Sequence, residues 1–438
     1  MENNTEQQVK NFDDLYRYSK ERTDLVFCIS EFIDNSIASF SEPKYSYRWR
    51  ENKEKLEITI EYHYQDNKIQ NSYYLIKDNA NGMTKECLMN ALKTGKNNPV
   101  HNKLNQYGIG LKLGMFYIGN ENRIFSKEIN NDEIYAYYHV TGHPEKYKKN
   151  QINGSDAVSV TCNISDKYYV KYESGTTILI ENLNNSRSLY NDNDKTENLD
   201  KLESFLSTRY KKYLRAENDL FKMSIKIKIF NDKKNSAEIE KDLSGNDPFK
   251  RENVFTLDKC NINNNLEAIK NKIFLKQNDN DFVVSNKYKN LLQNLLDNSP
   301  LIINDEIQIE WYDEEEEEHL RHKIPIKISF LQKANKLFSC VGILHQDRYI
   351  YQPVENDKIS KIINNPFRWK QKNYEKCNCL WLYGEIDISR IDWNTNCKYI
   401  FPDTNKQILQ FSNEKIKEQI CISLEDKWKE YENFISFL

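Results

Sequence analysis

Long apolar runs are missing from this sequence of 438 residues. Residues 1–27 contain no apolar core of the length that a signal peptide needs, and no stretch of about 18 consecutive apolar residues occurs elsewhere. The sequence therefore excludes an evident membrane span, and we expect the chain to be unexported and cytoplasmic. Its length exceeds what one ordinary hydrophobic core supports, so two or three domains are expected.

An excess of one charge and a paired cysteine spacing are also missing. The sequence has 66 acidic and 63 basic residues, for a formal net charge of −3, so its overall charge indicates neither a nucleic-acid-binding surface nor an acidic tail. Its nine cysteines are scattered and odd in number. Such usage is typical of reduced thiols in a large chain and argues against a disulfide scaffold.

Residues 28–40, CISEFIDNSIASF, combine the pattern of a buried helix with three acidic or amide side chains. At about 100° per residue, one stripe of the helix holds four apolar residues, Val26, Ile29, Ile33 and Ile37. Glu31, Asp34, Asn35 and Ala38 cluster roughly on the opposite side. We therefore expect one side of the helix to pack and the other to face a cleft or water. Taken alone, a Glu-x-x-Asp-Asn pattern is more often a solvated helix surface than a functional site.

Two strands and a glycine turn are predicted downstream of this helix. Residues 56–64, LEITIEYHY, alternate between apolar and polar side chains, as in a strand that is covered on one face. A second strand, YYLIKD, ends at Asp78 and runs into DNANGM, residues 78–83. This turn places a carboxylate at a strand end and puts Gly82 where the backbone must come close to another group.

A polar segment and a second glycine motif come next. Residues 93–106, KTGKNNPVHNKLNQ, are too long for a tight turn and are predicted to form a mobile loop or lid. In YGIGLKLG, Gly108 and Gly110 precede an apolar helical pattern that has Lys112 in its first turn. Bare backbone N–H groups, a helix N-terminus and a lysine are groups that bind phosphate. A Gly-x-Gly-x-Lys pattern alone is weak evidence, and a solvent-exposed lysine is the alternative reading of Lys112.

The order of these motifs resembles the GHKL ATPases, the superfamily of gyrase B, Hsp-class chaperones, histidine kinases and MutL. The resemblance covers residues 20–185 and includes a Gly-Thr that enters the strand SGTTILIENL, residues 174–183. The stretches NQYGIGLKLG and DNANGMTKECLMNALKTG are most similar to the MORC ATPases. The resemblance implies an α+β fold in which a Bergerat-type sandwich, a mixed sheet covered by helices, binds ATP.

The resemblance also implies a role for each motif residue in a site for ATP and Mg²⁺. Glu31 would be the catalytic residue that polarises the attacking water, and Asn35 would bind the metal, with Asp34 in a supporting role. Asp78 would accept a hydrogen bond from the adenine amine, which favours ATP over GTP. The other implied nucleotide-binding residues are Gly82, Met83 and Thr176 at the adenine, and Gly108, Gly110 and Lys112 at the phosphates.

The rest of the sequence predicts a second domain after a polar linker. Residues 1–185 are assigned to the ATP-binding domain, 186–200 to a linker or loop that is poor in apolar side chains, and 201–438 to a second α/β domain. This domain resembles the ribosomal-S5-like transducer domain of the gyrase, MutL and MORC branches. The stretch TNCKYIF, residues 395–401, resembles the MORC stretch that contains the transducer lysine. The resemblance implies that Lys398 neutralises the γ-phosphate, with an ordinary surface charge as the alternative. Strands are predicted at 223–230, 306–312, 323–331 and 338–352, with helical patterns at 202–214 and from about residue 412.

The function implied by the resemblance is an ATPase that forms a homodimer when ATP orders the lid, closing a clamp that opens after hydrolysis. DNA is an implied partner through the MORC and MutL resemblance alone. A role in defence against foreign DNA is implied by the same resemblance. A nucleotide-gated scaffold with negligible turnover is the alternative, favoured only by Ala80, where the family usually has glycine and a methyl group is expected near the base. A histidine kinase is less favoured, because no histidine precedes the motif as phosphoacceptor.

Overall fold

The computed structural model divides the chain into two compact units, Met1–Asn246 and Asp247–Leu438. Each unit is described by itself below. Within the described residues, no helix combines the length and the apolar character that a bilayer crossing requires. The structure describes residues 24–64, 71–92, 110–140, 158–160, 173–184, 188–189, 197–217, 221–231, 236–246, 271, 286–297, 299–313, 318–331, 341–345, 348–350, 367–368, 379–388, 400–402, 409–411 and 414–437.

A mixed sheet forms the centre of the first unit. Its described strands are β1 (Leu56–Tyr64), β2 (Tyr73–Asp78), β3 (Gly119–Lys127), β4 (Ile134–Val140), β5 (Val158–Val160), β6 (Gly175–Leu183), β7 (Met223–Asn231) and β8 (Ala237–Asp242). In the described part of the chain, these eight strands lie in the order β5-β4-β3-β6-β2-β1-β7-β8. Strand β1 runs antiparallel to β2 and parallel to β7, so the predicted mixed sheet is confirmed.

Helices cover one face of this sheet. The described helices of the unit are α1 (Leu25–Phe40), α2 (Tyr47–Arg50), α3 (Lys85–Leu92), α4 (Gly110–Ile118), α5 (Glu197–Arg209) and α6 (Lys211–Arg215). The alternation predicted for β1 is confirmed, because buried and half-buried residues alternate along the whole strand. The buried side chains Ile58, Ile60 and Tyr62 share one core with Ile29 and Ile33 of α1. Each fully buried isoleucine contributes about 1.5–3 kcal/mol to folding.

Helix α1 begins and ends at identifiable signals in the sequence. The Asp24 side chain accepts a hydrogen bond from the Val26 backbone N–H at 3.3 Å, which satisfies one of the free donors at the helix N-terminus. The Ser41 backbone N–H closes the last turn on the Ile37 carbonyl at 3.0 Å. Between these ends the helix lies against α4, where Gly114 packs beside Cys28 and Phe32.

The predicted linker at 186–200 does not coincide with the division between the two units, which falls after Asn246. Helix α5 starts inside that segment, at Glu197, and buries Leu199, Leu202 and Leu206 in the main core. The strand predicted at 223–230 is β7, and it pairs with β1 along its whole length. The predicted linker segment therefore lies within the first unit.

The second unit contains another sheet and a long C-terminal helix. Its described elements are α7 (Asn286–Leu296), β9 (Ile302–Asp313), β10 (Glu318–Leu331), β11 (Val341–His345), β12 (Arg348–Ile350), β13 (Phe367–Arg368), β14 (Cys379–Asp387), β15 (Ile400–Pro402), β16 (Leu409–Phe411) and α8 (Glu414–Phe437). The main strands lie in the order β12-β11-β14-β10-β9, with β13 paired to β14. The strands predicted at 306–312 and 323–331 form the β9–β10 hairpin, and α8 confirms the final helix.

Candidate active site

A partly open stripe runs along the otherwise buried helix α1. Every residue of the helix is buried except Phe27, Glu31, Asn35 and Ser39, which are half-buried. These four positions are spaced by four residues, so they line one side of the helix. The predicted open side is therefore confirmed for Glu31 and Asn35, and it is a narrow stripe between packed surfaces.

The Glu31 carboxylate lies against the first residue of α4. A Cβ atom placed on Gly110 would overlap Glu31 Oε2, so a side chain at position 110 and this position of the carboxylate exclude each other. Gly110 starts α4, where backbone N–H groups carry partial positive charge. The glycine thus allows the carboxylate and the helix N-terminus to meet. Gly108, the other predicted glycine, lies outside the described residues.

Asp34 does not share the open stripe, so its predicted place beside Glu31 is wrong. It is fully buried, and Arg209 Nη2 donates to its Oδ2 at 3.2 Å. The hydroxyl of Tyr210 donates to Asp34 Oδ1 at 2.8 Å and lies 2.9 Å from the Ser30 carbonyl oxygen. The three-residue spacing from Glu31 turns Asp34 toward the end of α5, where these partners hold it.

Asp78 lies at the end of β2, as predicted, and three neutral donors contact its carboxylate. Ser36 Oγ donates to Oδ2 at 2.7 Å, while the backbone N–H groups of Ala80 and Thr176 donate to Oδ1 at 2.9 and 3.1 Å. Burial raises the pKa of Asp78, and these hydrogen bonds and the charge of Arg48 oppose that rise. Each carboxylate oxygen accepts about two hydrogen bonds, so Oδ2, which takes only one among the described residues, can accept another.

Arg48 of α2, which the sequence did not single out, fixes the turn after Asp78. It is buried, and its Nη1 donates to Asn81 Oδ1 at 2.8 Å while its Nη2 donates to the Asn79 carbonyl at 3.1 Å. Its Nε donates to Glu54 at 2.7 Å, and its guanidinium lies 4.8 Å from the centre of the Phe40 ring. One arginine therefore holds two residues of the turn by charge-assisted hydrogen bonds.

The far side of the turn is joined to β3 and β6. Gly82 has a φ of 68°, and a Cβ atom there would overlap the Lys127 carbonyl oxygen, so the close approach predicted at Gly82 is to strand β3. The Met83 backbone N–H donates to Ser126 Oγ at 2.9 Å, and Ser126 Oγ lies 3.1 Å from Thr176 Oγ1. Ser126 therefore brings the predicted residues Met83 and Thr176 together.

Lys112 is buried in α4, with 1% of its surface exposed, so the solvent-exposed alternative is excluded. Burial lowers its pKa to about 8, because a charged ammonium is less stable away from water. Ala80 is also buried, and its methyl group packs in the apolar core. Lys398 and the segment 93–106 predicted as a lid lie outside the described residues.

Sequence reasoning missed Ser36, Arg48, Ser126 and Arg209. Ser36 carried a usable signal, because it is a hydroxyl residue on the buried side of an apolar helix and such a group needs a partner. The other three residues had no local signal. Glu54 lies six positions from Arg48, but the other hydrogen-bond partners named above are separated from these residues by between 31 and 175 positions in the chain.

The fold and these contacts define an α+β domain in which a buried helix presents a carboxylate and an amide beside the N-terminus of a second helix. Residues 23–169 match the family described as Histidine kinase-, DNA gyrase B-, and HSP90-like ATPase. This match supports a GHKL-type ATPase domain in the first unit, and members of that superfamily are generally ATPases. No curated protein matches the chain by sequence.

Proposed function

We propose that the chain is a Mg²⁺-dependent ATPase of the MORC-like GHKL type. One observation carries the proposal: Glu31 and Asn35 lie one turn apart on the open stripe of α1, with the Glu31 carboxylate against the first residue of α4. A proton acceptor, an amide oxygen and the positive end of a helix are thus adjacent. These are the groups that hydrolysis of a phosphoanhydride requires.

Glu31 is the general base in this proposal. Its carboxylate accepts the proton of the attacking water, and the packing of α1 limits the positions that the carboxylate can take. Asn35 is the metal ligand, because an amide oxygen binds a hard cation without adding a negative charge beside a triphosphate. The donor set fits Mg²⁺, which takes few protein ligands and keeps water and phosphate oxygens. Bound Mg²⁺ would neutralise charge on the phosphate groups.

Asp78 selects adenine. Its Oδ1 accepts two backbone N–H groups, and its Oδ2 has capacity for the exocyclic amine of the base. Guanine presents a carbonyl oxygen at that position, which a carboxylate repels. Gly82, Met83 and Thr176 complete the adenine pocket, and the hydrogen bonds of Arg48 and Ser126 hold the turn in one conformation.

The start of α4 holds the phosphates. Gly110 exposes backbone N–H groups at the helix N-terminus, and Lys112 adds a positive charge two residues later. Gly108 is assigned to the same phosphate loop by its place in the motif. Because Lys112 is buried, its ammonium gains more from an anion than an exposed lysine does.

The MORC-like motifs support a clamp that dimerises when ATP is bound. In this proposal the lid and Lys398 close on the γ-phosphate, and the nucleotide shifts the equilibrium because only the closed dimer contacts that group fully. DNA is the partner to test first. If the contacts are to phosphates, the affinity for DNA should be lower at the higher of two salt concentrations.

The decisive experiment is Glu31→Ala. We expect turnover to fall by about a hundredfold or more, while ATP affinity, measured calorimetrically, and ATP-dependent dimers, measured by sedimentation, are retained. If Glu31→Ala hydrolysed ATP at the wild-type rate, Glu31 would be excluded as the base. Equal and negligible rates in both proteins would favour the nucleotide-gated scaffold, and absence of any heat on adding Mg-ATP would refute the site.

A further inference from the structure

The junction of α5 and α6 places two polar side chains against α1 in the interior of the first unit. Arg209 and Tyr210 are 2% and 0% exposed, and Asp34, which both contact, is fully buried. The ion pair between Arg209 and Asp34 is 3.2 Å long. This cluster joins parts of the chain that are 175 residues apart, so it fixes α1 to α5 through charge-assisted hydrogen bonds.

The contacts of this cluster lie on both sides of Glu31 in the sequence. The hydroxyl oxygen of Tyr210 lies 2.8 Å from the carboxylate of Asp34, three residues after Glu31, and 2.9 Å from the carbonyl oxygen of Ser30, the residue before it, so its one proton is shared between these two acceptors. A rotation of α1 about its axis would break both bonds. The Arg209 guanidinium is also in electrostatic range of Glu31, and Asp34, Tyr210 and Glu31 together raise the pKa of Arg209 despite its burial.

Stability alone is a weak reason for a buried ion pair at this place. Moving two charges out of water costs several kcal/mol per ion, and apolar residues of similar volume often stabilise a core as well. In addition, the buried Nε of Arg209 has no hydrogen-bond partner within the described residues, so Asp34 does not use all the donors of this guanidinium. The cluster therefore points to a task other than holding the core together.

We propose that Arg209 and Tyr210 are positioning residues for Glu31, setting the angle and the charge environment at which its carboxylate meets the attacking water. The inference rests on the proposed ATPase function. Its physical basis is that a general base acts only within hydrogen-bond reach of the proton it accepts, so that a displacement of about 1 Å can cost a hundredfold in rate. Helix α5 thereby becomes part of the catalytic apparatus without contacting the nucleotide.

The test measures kcat and affinity separately in three variants. Tyr210→Phe removes one oxygen atom and no charge. Arg209→Gln removes the charge, and Arg209→Lys keeps the charge but loses the planar set of guanidinium N–H donors. We expect kcat, expressed per nucleotide-binding site counted by ADP titration, to fall about ten- to hundredfold in the first two variants. The dissociation constant for ADP should change less than about threefold, and Arg209→Lys should recover part of kcat.

A matched control is Tyr62→Phe, which removes another buried hydroxyl in the same core, one that bonds Ser188 at 2.8 Å. It should lower the melting temperature about as much as Tyr210→Phe while kcat stays unchanged. If Arg209→Gln does not fold, Tyr210→Phe still decides the question. Unchanged kcat per site in Tyr210→Phe and Arg209→Lys, with an active wild type, would overturn this inference and leave the ATPase intact. A wild type without turnover would overturn both.

Discussion

Two buried aspartates in the first unit show how neighbouring groups decide what a carboxylate can do. Asp34 on α1 is 0% exposed and Asp78 at the end of β2 is 8% exposed, so burial does not separate them. Their partners do. Asp34 is bonded by a guanidinium and a phenol, whereas Asp78 is bonded by a serine hydroxyl and two backbone N–H groups.

This difference assigns the two carboxylates to different tasks. The charge of Asp34 is compensated inside the protein by Arg209, so losing either member of this ion pair would leave an uncompensated charge in the core. The charge of Asp78 is solvated by neutral donors, and burial still raises its pKa. A ligand amine that reaches Asp78 therefore finds an acceptor that has not already been neutralised. A carboxylate held by neutral donors is the better candidate for binding a ligand, and one held by a cation is the better candidate for fixing the position of the helix that carries it.

The largest expected effect is on stability, in Asp34→Asn. The substitution leaves Arg209 charged and buried, and such a change costs about 3–5 kcal/mol. Equilibrium urea denaturation followed by circular dichroism would measure it. The double variant Asp34→Asn with Arg209→Gln should regain part of the loss, because neither charge is then left alone. If Asp34→Asn alone were as stable as the wild type, the ion pair between Asp34 and Arg209 would not contribute to the stability of the fold.

The next effect is on base selectivity, in Asp78→Asn. The backbone N–H groups of Ala80 and Thr176 keep an oxygen at the Oδ1 position, so the new amide NH₂ replaces Oδ2 and faces the base as a donor. A hydrogen bond to a charged group is worth about 1.5–3 kcal/mol, so ATP affinity should fall about ten- to hundredfold and the preference for ATP over GTP should shrink. Calorimetry with both nucleotides would measure this.

Ser36→Ala is the matched control for Asp78→Asn. It removes one donor to Asp78 Oδ2 and leaves the carboxylate in place, so ATP should remain preferred over GTP. A loss of selectivity in Ser36→Ala as large as in Asp78→Asn would mean that the geometry of the turn, and not the carboxylate, selects the base.

A smaller effect is expected from pH, through Lys112. Its pKa in the folded chain is about 8, below its ordinary value of 10.5. The ammonium is therefore lost as the pH rises through about 8, and triphosphate affinity should fall by about tenfold between pH 7 and 9.5. Binding near pH 8.5 should take up a proton, which calorimetry in buffers of different ionisation enthalpy would detect.

Lys112→Met is the control for this pH dependence and should flatten it. The effect on folding has the opposite sign. Between pH 8 and 10.5 the unfolded chain holds a proton that the folded chain has released, so this residue makes the stability of the fold rise with pH in that window. A wild type whose affinity does not change over this range would contradict a phosphate contact by Lys112.

The smallest effect is expected at the surface, in Lys226→Gln. Lys226 pairs with Glu240 and Asp242 across β7 and β8, at 2.8 and 3.5 Å, in an exposed position. Exposed pairs are screened by water and salt and contribute little. The melting temperature and kcat should both stay within measurement error of the wild type, and a clear loss of stability would show that exposed charge pairs matter in this sheet.

Local patterns in the sequence predicted the elements of the site but not the contacts between them. The alternation in 56–64 and the apolar stripe of α1 are properties of a few neighbouring residues, and both are found in the structure. The placement of Glu31 and Asn35 on the open stripe follows from the same periodicity. The predicted place of Asp34 failed, because the decisive partner is Arg209, whose position no local pattern fixes.

The other contacts that the sequence did not predict have the same cause. Residues 186–200 are polar enough for a linker, yet the strand that follows them returns to pair with β1. Arg48 and Ser126 look like ordinary surface residues in the sequence, and their importance depends on the turn after Asp78 meeting α2 and β3 in space. The second unit was predicted as strands with a final helix, and its resemblance to a transducer domain stays a prediction.

The parallel pairing of β1 with β7 sets the smallest fragment worth expressing. A truncation at the end of the family match, residue 169, would remove β6 from the middle of the sheet, and one at residue 185 would leave β1 as an exposed edge with unpaired backbone groups. Both fragments would tend to aggregate. Arg209 and Tyr210 would be lost as well, so a recombinant nucleotide-binding domain has to extend to Asn246 to keep its fold and its helix α5.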